Sequence, residues 1–241
     1  MTFSRRSILK SLGAAATLPW IFPHVARAAP SMRIGVIGAG SLGATVGQLW
    51  VKAGHEVMFS SRHPEELESM ARELGSRATA GLPLQAAEFG AVLLLAVPFV
   101  ALPQVGRDLH RAYQGKIVLD STNPWGASES DVYREARKNG VGQTVAKYLP
   151  DARLVRAFSC VDATVVETSG TRAGGRIGMP IASDDAQAVA TAAELVRAAG
   201  CDPIITGNMA SSVAFQPGGP GWRAHLTAPE MRRRLGLPAA S

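Results

Sequence analysis

Two groups of residues have the types and spacing to do chemistry. Gly38, Gly40 and Gly43 make a G-x-G-x-x-G loop, Gly38-Ala39-Gly40-Ser41-Leu42-Gly43, between an apolar run "MRIGVIG" and a helical pattern "SLGATVGQLWVKAG". The first glycine permits a tight turn, the second lets backbone approach a pyrophosphate, and the third lets helix and strand pack closely. The helix N-terminus faces the negative phosphates. About 20 residues on, where a carboxylate would take a ribose 2′-hydroxyl, the chain has Ser60, Ser61 and Arg62 instead. Hydroxyls and a guanidinium fork suit a 2′-phosphate, so the pattern points to NADP over NAD.

The surrounding elements must hold these groups. "HEVMFSS" reads as a second strand and "PEELESMARELG" as an amphipathic helix opened by proline. "AVLLLAVP" is too apolar for a one-sided strand and fits the centre of a parallel sheet. "KIVLDSTNP", "ARLVRAFS", "IGMPIAS" and "CDPIITG" continue the series. "DDAQAVATAAELVRAAG" reads as a helix opened by Asp184 and closed by Gly200. The alternation implies right-handed crossovers and a doubly wound α/β sheet of Rossmann type, mostly parallel. That domain spans residues 29–207, and a small C-terminal extension covers 208–241.

The N-terminus reads differently. Arg5 and Arg6 precede the uncharged stretch "SLGAAATLPWIF" and a small-x-small pattern at Ala26 and Ala28. These are the parts of a secretory signal. The arginine pair resembles the twin-arginine address of proteins exported already folded. The expected signal is 1–28, the expected location periplasmic or secreted, and the export machinery an expected partner. The apolar stretch is too short for a permanent membrane anchor. Residues 1–28 carry +4 of the formal net charge of +6. The remainder is near neutral, so nucleic acid is not an expected partner. A homo-oligomer is compatible with the sequence.

The segments "MRIGVIGAGSLGATVGQLWVKAGHEVMFSSRHPEEL", "AVLLLAVP", "VLDSTNP", "LVRAFS" and "AAELVRAAGCDPIITG" together resemble the NADPH-dependent coenzyme F420 reductase family, over roughly residues 32–207. The resemblance implies an oxidoreductase passing hydride between NADP(H) and a small-molecule or deazaflavin-like acceptor. It implies that Gly38 to Gly43 hold the pyrophosphate, and that Ser61 and Arg62 hold the 2′-phosphate. The backbone from Ala96 through Val97 and Pro98 would lie along the dinucleotide, with Asn123 and Pro124 near the nicotinamide. A non-catalytic NADP-binding sensor or assembly protein is the alternative.

Other constellations are sparse. The five histidines show no metal-ligand spacing, and no nucleophile elbow or zinc motif occurs. Hydride transfer is compatible with that, because the cofactor carries the chemistry. Tyr133, Lys147, Tyr148, Trp222, Arg223 and His225 are candidates for a substrate pocket. The Pro/Gly-rich stretch Pro217–Gly221 and the tail around Trp222 are candidates for a lid over a retained cofactor. Cys160 and Cys201 are expected as free thiols, at opposite edges of the sheet if their neighbouring strands run parallel.

Overall fold

A computed structural model describes residues 30–125 and 129–239. The export signal expected over 1–28 lies outside the described residues. In the first half the chain runs β1 (Arg33–Ile37), α1 (Ser41–Lys52), β2 (Glu56–Ser60), α2 (Glu68–Leu74), β3 (Ala78–Gly81), α3 (Pro83–Phe89) and β4 (Val92–Leu95). Then come α4 (Leu102–Asp108), α5 (His110–Tyr113), β5 (Ile117–Asp120), α6 (Asp131–Asn139), α7 (Val141–Tyr148) and β6 (Arg153–Arg156). The last part holds α8 (Ala163–Ser169), β7 (Gly178–Ala182), α9 (Ala186–Ala198), β8 (Asp202–Gly207) and α10 (Ala228–Arg234).

One eight-stranded sheet results, in the order β3-β2-β1-β4-β5-β6-β7-β8. The strands from β3 to β6 are parallel, with Ile37 level with Ser60 on one side and Leu95 on the other. The chain switches direction of travel between β1 and β4. That switch opens a crevice outside the carboxyl ends of the strands, where ligands of such sheets bind. Every residue of β4 and β5 is buried, as expected for strands covered on both faces. Two apolar cores do the covering. Trp50, Phe59, Phe158 and Leu195 belong to one, and Phe99, Leu102, Tyr113 and Val145 to the other.

β3, "ATAG", carries no apolar run and takes its shape from pairing with β2. The helix α9 is capped by Asp185, which accepts from Ala188 N at 2.9 Å, and not by the expected Asp184. Asp184 instead accepts from Met209 N at 3.1 Å and so ties down the start of the extension. Residues 31–241 make one compact unit. Within it, Met209 and Phe215 of a 3-10 segment and Met231 of α10 are buried. Thr227 bridges Ile177 beside β7.

The cysteine geometry corrects an expectation. β7 runs antiparallel to β6 and β8 parallel to β7, so β8 opposes β6. Cys160 after β6 and Cys201 before β8 therefore lie toward the same end of the sheet, not opposite edges. Both are free and buried. Burial pushes the Cys160 thiol up to about 12 and raises Cys201 as well, so neither is a ready thiolate near neutrality.

His55 links sequence to pH. It sits at the turn into β2, 4 % exposed, and its Nδ1 accepts from Met32 N at 3.2 Å. Burial holds its pKa below the usual 6.5, and Glu194 opposes that only in part. A folded-state pKa below the unfolded one contributes stability that is present above about 6.5 and lost as pH falls through the folded value. Thermal unfolding followed against pH is expected to show that decline in the wild type and a flatter profile in His55→Gln. Identical profiles would remove His55 from the account.

Candidate functional site

The site is built where the loops after β1, β4 and β5 converge. Gly38 has φ +95, which a side chain rarely adopts, and a β-carbon there would meet Ala96 O at 2.6 Å. A β-carbon on Gly43 would meet Gly38 O at 2.2 Å. These two glycines close the turn and let α1 pack down on it. Gly40 differs, because nothing lies within 4 Å of the position its β-carbon would take. It is exposed, it caps α1, and no acidic residue occupies the first turn of that helix. A cradle of free helical N–H groups opens there on clear space, as a pyrophosphate requires. Ser41 is exposed beside it and Leu42 is half-buried.

A backbone bond brings the second group to the first. Ala39 N donates to Ser60 O at 2.8 Å, tying the glycine loop to the end of β2. Arg62 is thereby set beside the loop, exposed, with no hydrogen bond or ion pair among the described residues. Ser61 is half-buried and its Oγ accepts from His63 N at 3.1 Å. That leaves its proton for an acceptor such as a phosphate oxygen. Ser60 is a correction. It is fully buried and its Oγ donates to Val36 O at 2.6 Å, so it locks β2 to β1 and does not reach a ligand.

Ala96 and Val97 are half-buried against Gly38, and Pro98 is exposed. Ser121 continues the rim, donating through both N and Oγ to Leu95 O at 3.0 and 2.9 Å. Asn123 is held by the protein itself. It is 5 % exposed, its Nδ2 donates to Ser159 O at 2.6 Å, and its Oδ1 accepts from Arg156 Nη2 at 3.0 Å. Its side chain shapes the loop through these bonds. Pro124 stays half-buried at the rim.

The group that holds this loop escaped the sequence reading. Asp120 ends β5 and Arg156 ends β6, in register and both fully buried. Arg156 Nη1 pairs with the Asp120 carboxylate and donates to Thr122 O at 2.7 Å. The other carboxylate oxygen accepts from Thr122 N and Oγ1 at 2.9 and 2.7 Å. Among the described residues Arg156 Nε and Ser159 Oγ have no hydrogen-bond partner. A charged residue closing each of two apolar strands, "IVLD" and "RLVR", was the available signal.

Four of the six pocket candidates gather at the carboxyl edge. Tyr133 is buried and donates to Trp125 O at 3.1 Å. Trp222 packs on Trp125 with ring centroids 5.2 Å apart, and Arg223 and His225 lie against Asp162. Lys147 and Tyr148 do not join them. They line a cavity of about 480 Å³ with Pro103, Arg107 and His110 near the start of β6, at the opposite edge. A cavity of about 650 Å³ there is lined by Arg107, His110 and Lys116, and the Lys116 ammonium is spent on the carbonyls of Ala87 and Gly90. Neither touches the glycine loop. Among the described residues no cluster of His, Cys, Asp or Glu is arranged to hold a metal, and no helix is long and apolar enough to cross a membrane.

The tight Gly38–Gly43 turn, the open space over Gly40 and the exposed Arg62 have the arrangement that a dinucleotide site requires. Comparison with known proteins agrees. Residues 33–124 match the family of coenzyme F420-dependent NADP oxidoreductases. The matched segment runs from β1 through the Asn123–Pro124 loop, so this oxidoreductase domain contains every residue assigned above to the cofactor. A hypothetical protein from Sinorhizobium meliloti is similar in structure, with a TM-score of 0.67 and 24 % identity over 83 % of this chain and 94 % of its own. A protein from an Arthrobacter species described as an F420-dependent NADP-reductase has a TM-score of 0.66 and 22 % identity, over 76 % and 87 %. The reductive aminase of Aspergillus terreus, solved with NADPH, has a TM-score of 0.53 and 15 % identity, over 75 % of this chain and 57 % of its own. At these identities the likeness is one of fold. No match was found among curated proteins. Residues 33–124 are thus similar to NADP oxidoreductases, and the sheet they belong to is Rossmann-like.

Proposed function

We propose that the protein is an exported NADP-dependent oxidoreductase that passes hydride between NADP(H) and a small-molecule or deazaflavin-like acceptor. The observation that carries the choice of NADP is Arg62, an exposed guanidinium without a partner, set by the Ala39–Ser60 bond beside an open glycine loop. Bound NADP(H) supplies the hydride chemistry. The chain's own part is to bind and orient. The N–H groups that open α1 take the pyrophosphate, Ser61 and Arg62 take the 2′-phosphate, and the Asp120–Arg156 pair holds the Ser121–Pro124 loop beside the far end of the crevice.

A second reading, an NADP-binding sensor or assembly protein without catalysis, is favoured by one feature. The polar side chains near that far end, Asn123, Tyr133 and Arg223, are all committed to protein partners. Anaerobic incubation of the full chain with NADPH and a deazaflavin decides between them. Loss of NADPH absorbance that needs both protein and acceptor supports the oxidoreductase. Stoichiometric binding with no turnover for any acceptor tried supports the sensor. Export rests on Arg5 and Arg6, and replacing both by lysine is expected to leave the protein in the cytoplasmic fraction.

A further inference from the structure

We propose that the segment Gln216–His225 is a retaining strap for the dinucleotide, with Trp222 and Arg223 slowing its release. The inference rests on the NADP(H) reading above. The strap is anchored at both ends, and at its glycines it folds back closely on residues 213–215, where Gly221 N donates to Ala214 O at 2.8 Å. Phe215 before it is fully buried and Met231 after it nearly so. Between them the chain carries Gly218 at φ +86 and then Gly219 and Gly221.

The middle docks on the loops that follow β5 and β6, with Trp222 half-buried against one of the apolar cores. Trp222 lies on Trp125 at 5.2 Å, its plane tilted 51°. Arg223 N donates to Cys160 O at 3.0 Å, and its guanidinium donates to Asp162 at 2.6 and 3.0 Å. The same guanidinium lies 6.0 Å from the centre of the Trp125 ring. Val141 N donates to Gln216 Oε1 at 2.9 Å.

These contacts are of a kind that can open. The Arg223 and Asp162 side chains are 47 % and 31 % exposed, and Trp125 is 58 % exposed. Exposed ion pairs are weak. Arg223 and His225 sit at φ 46 and 49, in the left-handed region that residues with a β-carbon avoid. Such backbone persists only where its surroundings over-determine it. His225 Nε2 is buried 3.4 Å from the Asp162 carboxylate without hydrogen-bond alignment. A segment fixed at its ends, strained at its latch and tied by surface contacts is suited to open and close. Its place is set by Trp125, which follows Pro124 on the rim where the far end of a dinucleotide lies in such sheets. A strap closed there over a bound dinucleotide adds contacts that the encounter complex has not yet made, so its loss acts on release.

The test measures release of NADPH from the full chain into excess NADP, followed by nicotinamide fluorescence. Arg223→Gln and Asp162→Asn break the latch from either side at the surface, and Trp222→Ala removes the stacked ring. Each is expected to speed release by about tenfold while association stays nearly unchanged. The thermal midpoints of the two latch variants are expected to stay near wild type, an outcome that a merely structural role would not give together with fast release. Wild-type release rates in all three variants would overturn the strap. Should Trp222→Ala unfold, the latch pair decides. A wild-type chain that binds no NADPH overturns the reading on which the strap rests, which is a different result.

Discussion

Arg156→Met is expected to destabilise the protein by about 3–5 kcal/mol, the cost of leaving a buried charge without its partner. Asp120 and Arg156 are both fully buried, and the carboxylate receives the guanidinium together with Thr122 N and Oγ1. Removing the cation leaves a carboxylate that water cannot reach. It also frees Thr122 O and Asn123 Oδ1, which Arg156 satisfies now. Typical stabilities are about 5–15 kcal/mol, so a large part of the total is at stake. Urea unfolding measures it through the midpoint. Replacing both partners by apolar residues of similar size is expected to recover much of the loss, because the desolvation cost of the pair then disappears with its attraction. An unchanged midpoint in Arg156→Met would show that the pair does not hold the edge of the sheet. The loop from Ser121 to Pro124 hangs on the same guanidinium, so Arg156→Lys should also loosen cofactor binding. A lysine cannot reach three acceptors in one plane.

Arg62→Ala is expected to weaken NADP binding by about 1–3 kcal/mol, the scale of a hydrogen bond to a charged group. NAD, which lacks the 2′-phosphate, should bind almost as before. The asymmetry follows from the position of Arg62 beside Ser61, exposed and without a hydrogen bond or ion pair among the described residues. Because Arg62 is exposed and unpaired, its removal should not move the thermal midpoint. Titration calorimetry with both nucleotides reads the difference. Equal losses for the two would detach Arg62 from the phosphate. Ser60→Ala makes a contrasting case. Its hydroxyl donates to Val36 O in the interior, so the substitution should lower stability and leave the preference between the two nucleotides alone.

What could be read in the sequence was local. The strand "MRIGVIG", the glycine loop and the helix after it are written in neighbouring residues, and the turn needs Gly38 at positive φ whatever else the chain does. The buried strand "VLLL" is legible for the same reason, since only a position covered on both faces tolerates such a run. Ser61 and Arg62 could be singled out as a pair because they stand a fixed distance beyond the loop. Ser60 was misread, and the partners of Asn123 went unseen, because a side chain's partner is set by the neighbouring strand or loop, not by sequence spacing. Val36 is 24 residues from Ser60 and Ser159 is 36 from Asn123.

The tertiary structure alone decided the rest. Asp120 and Arg156 meet only because β5 and β6 pair in register. Cys160 and Cys201 share an end of the sheet only because β7 turns back against β6. Trp222 finds Trp125 only because Phe215 and Met231 bury themselves and carry the extension across the loops after β5 and β6. Contacts across such separations depend on strand order and direction. Apolar periodicity announces that a strand or helix exists and says nothing of which neighbour it will take.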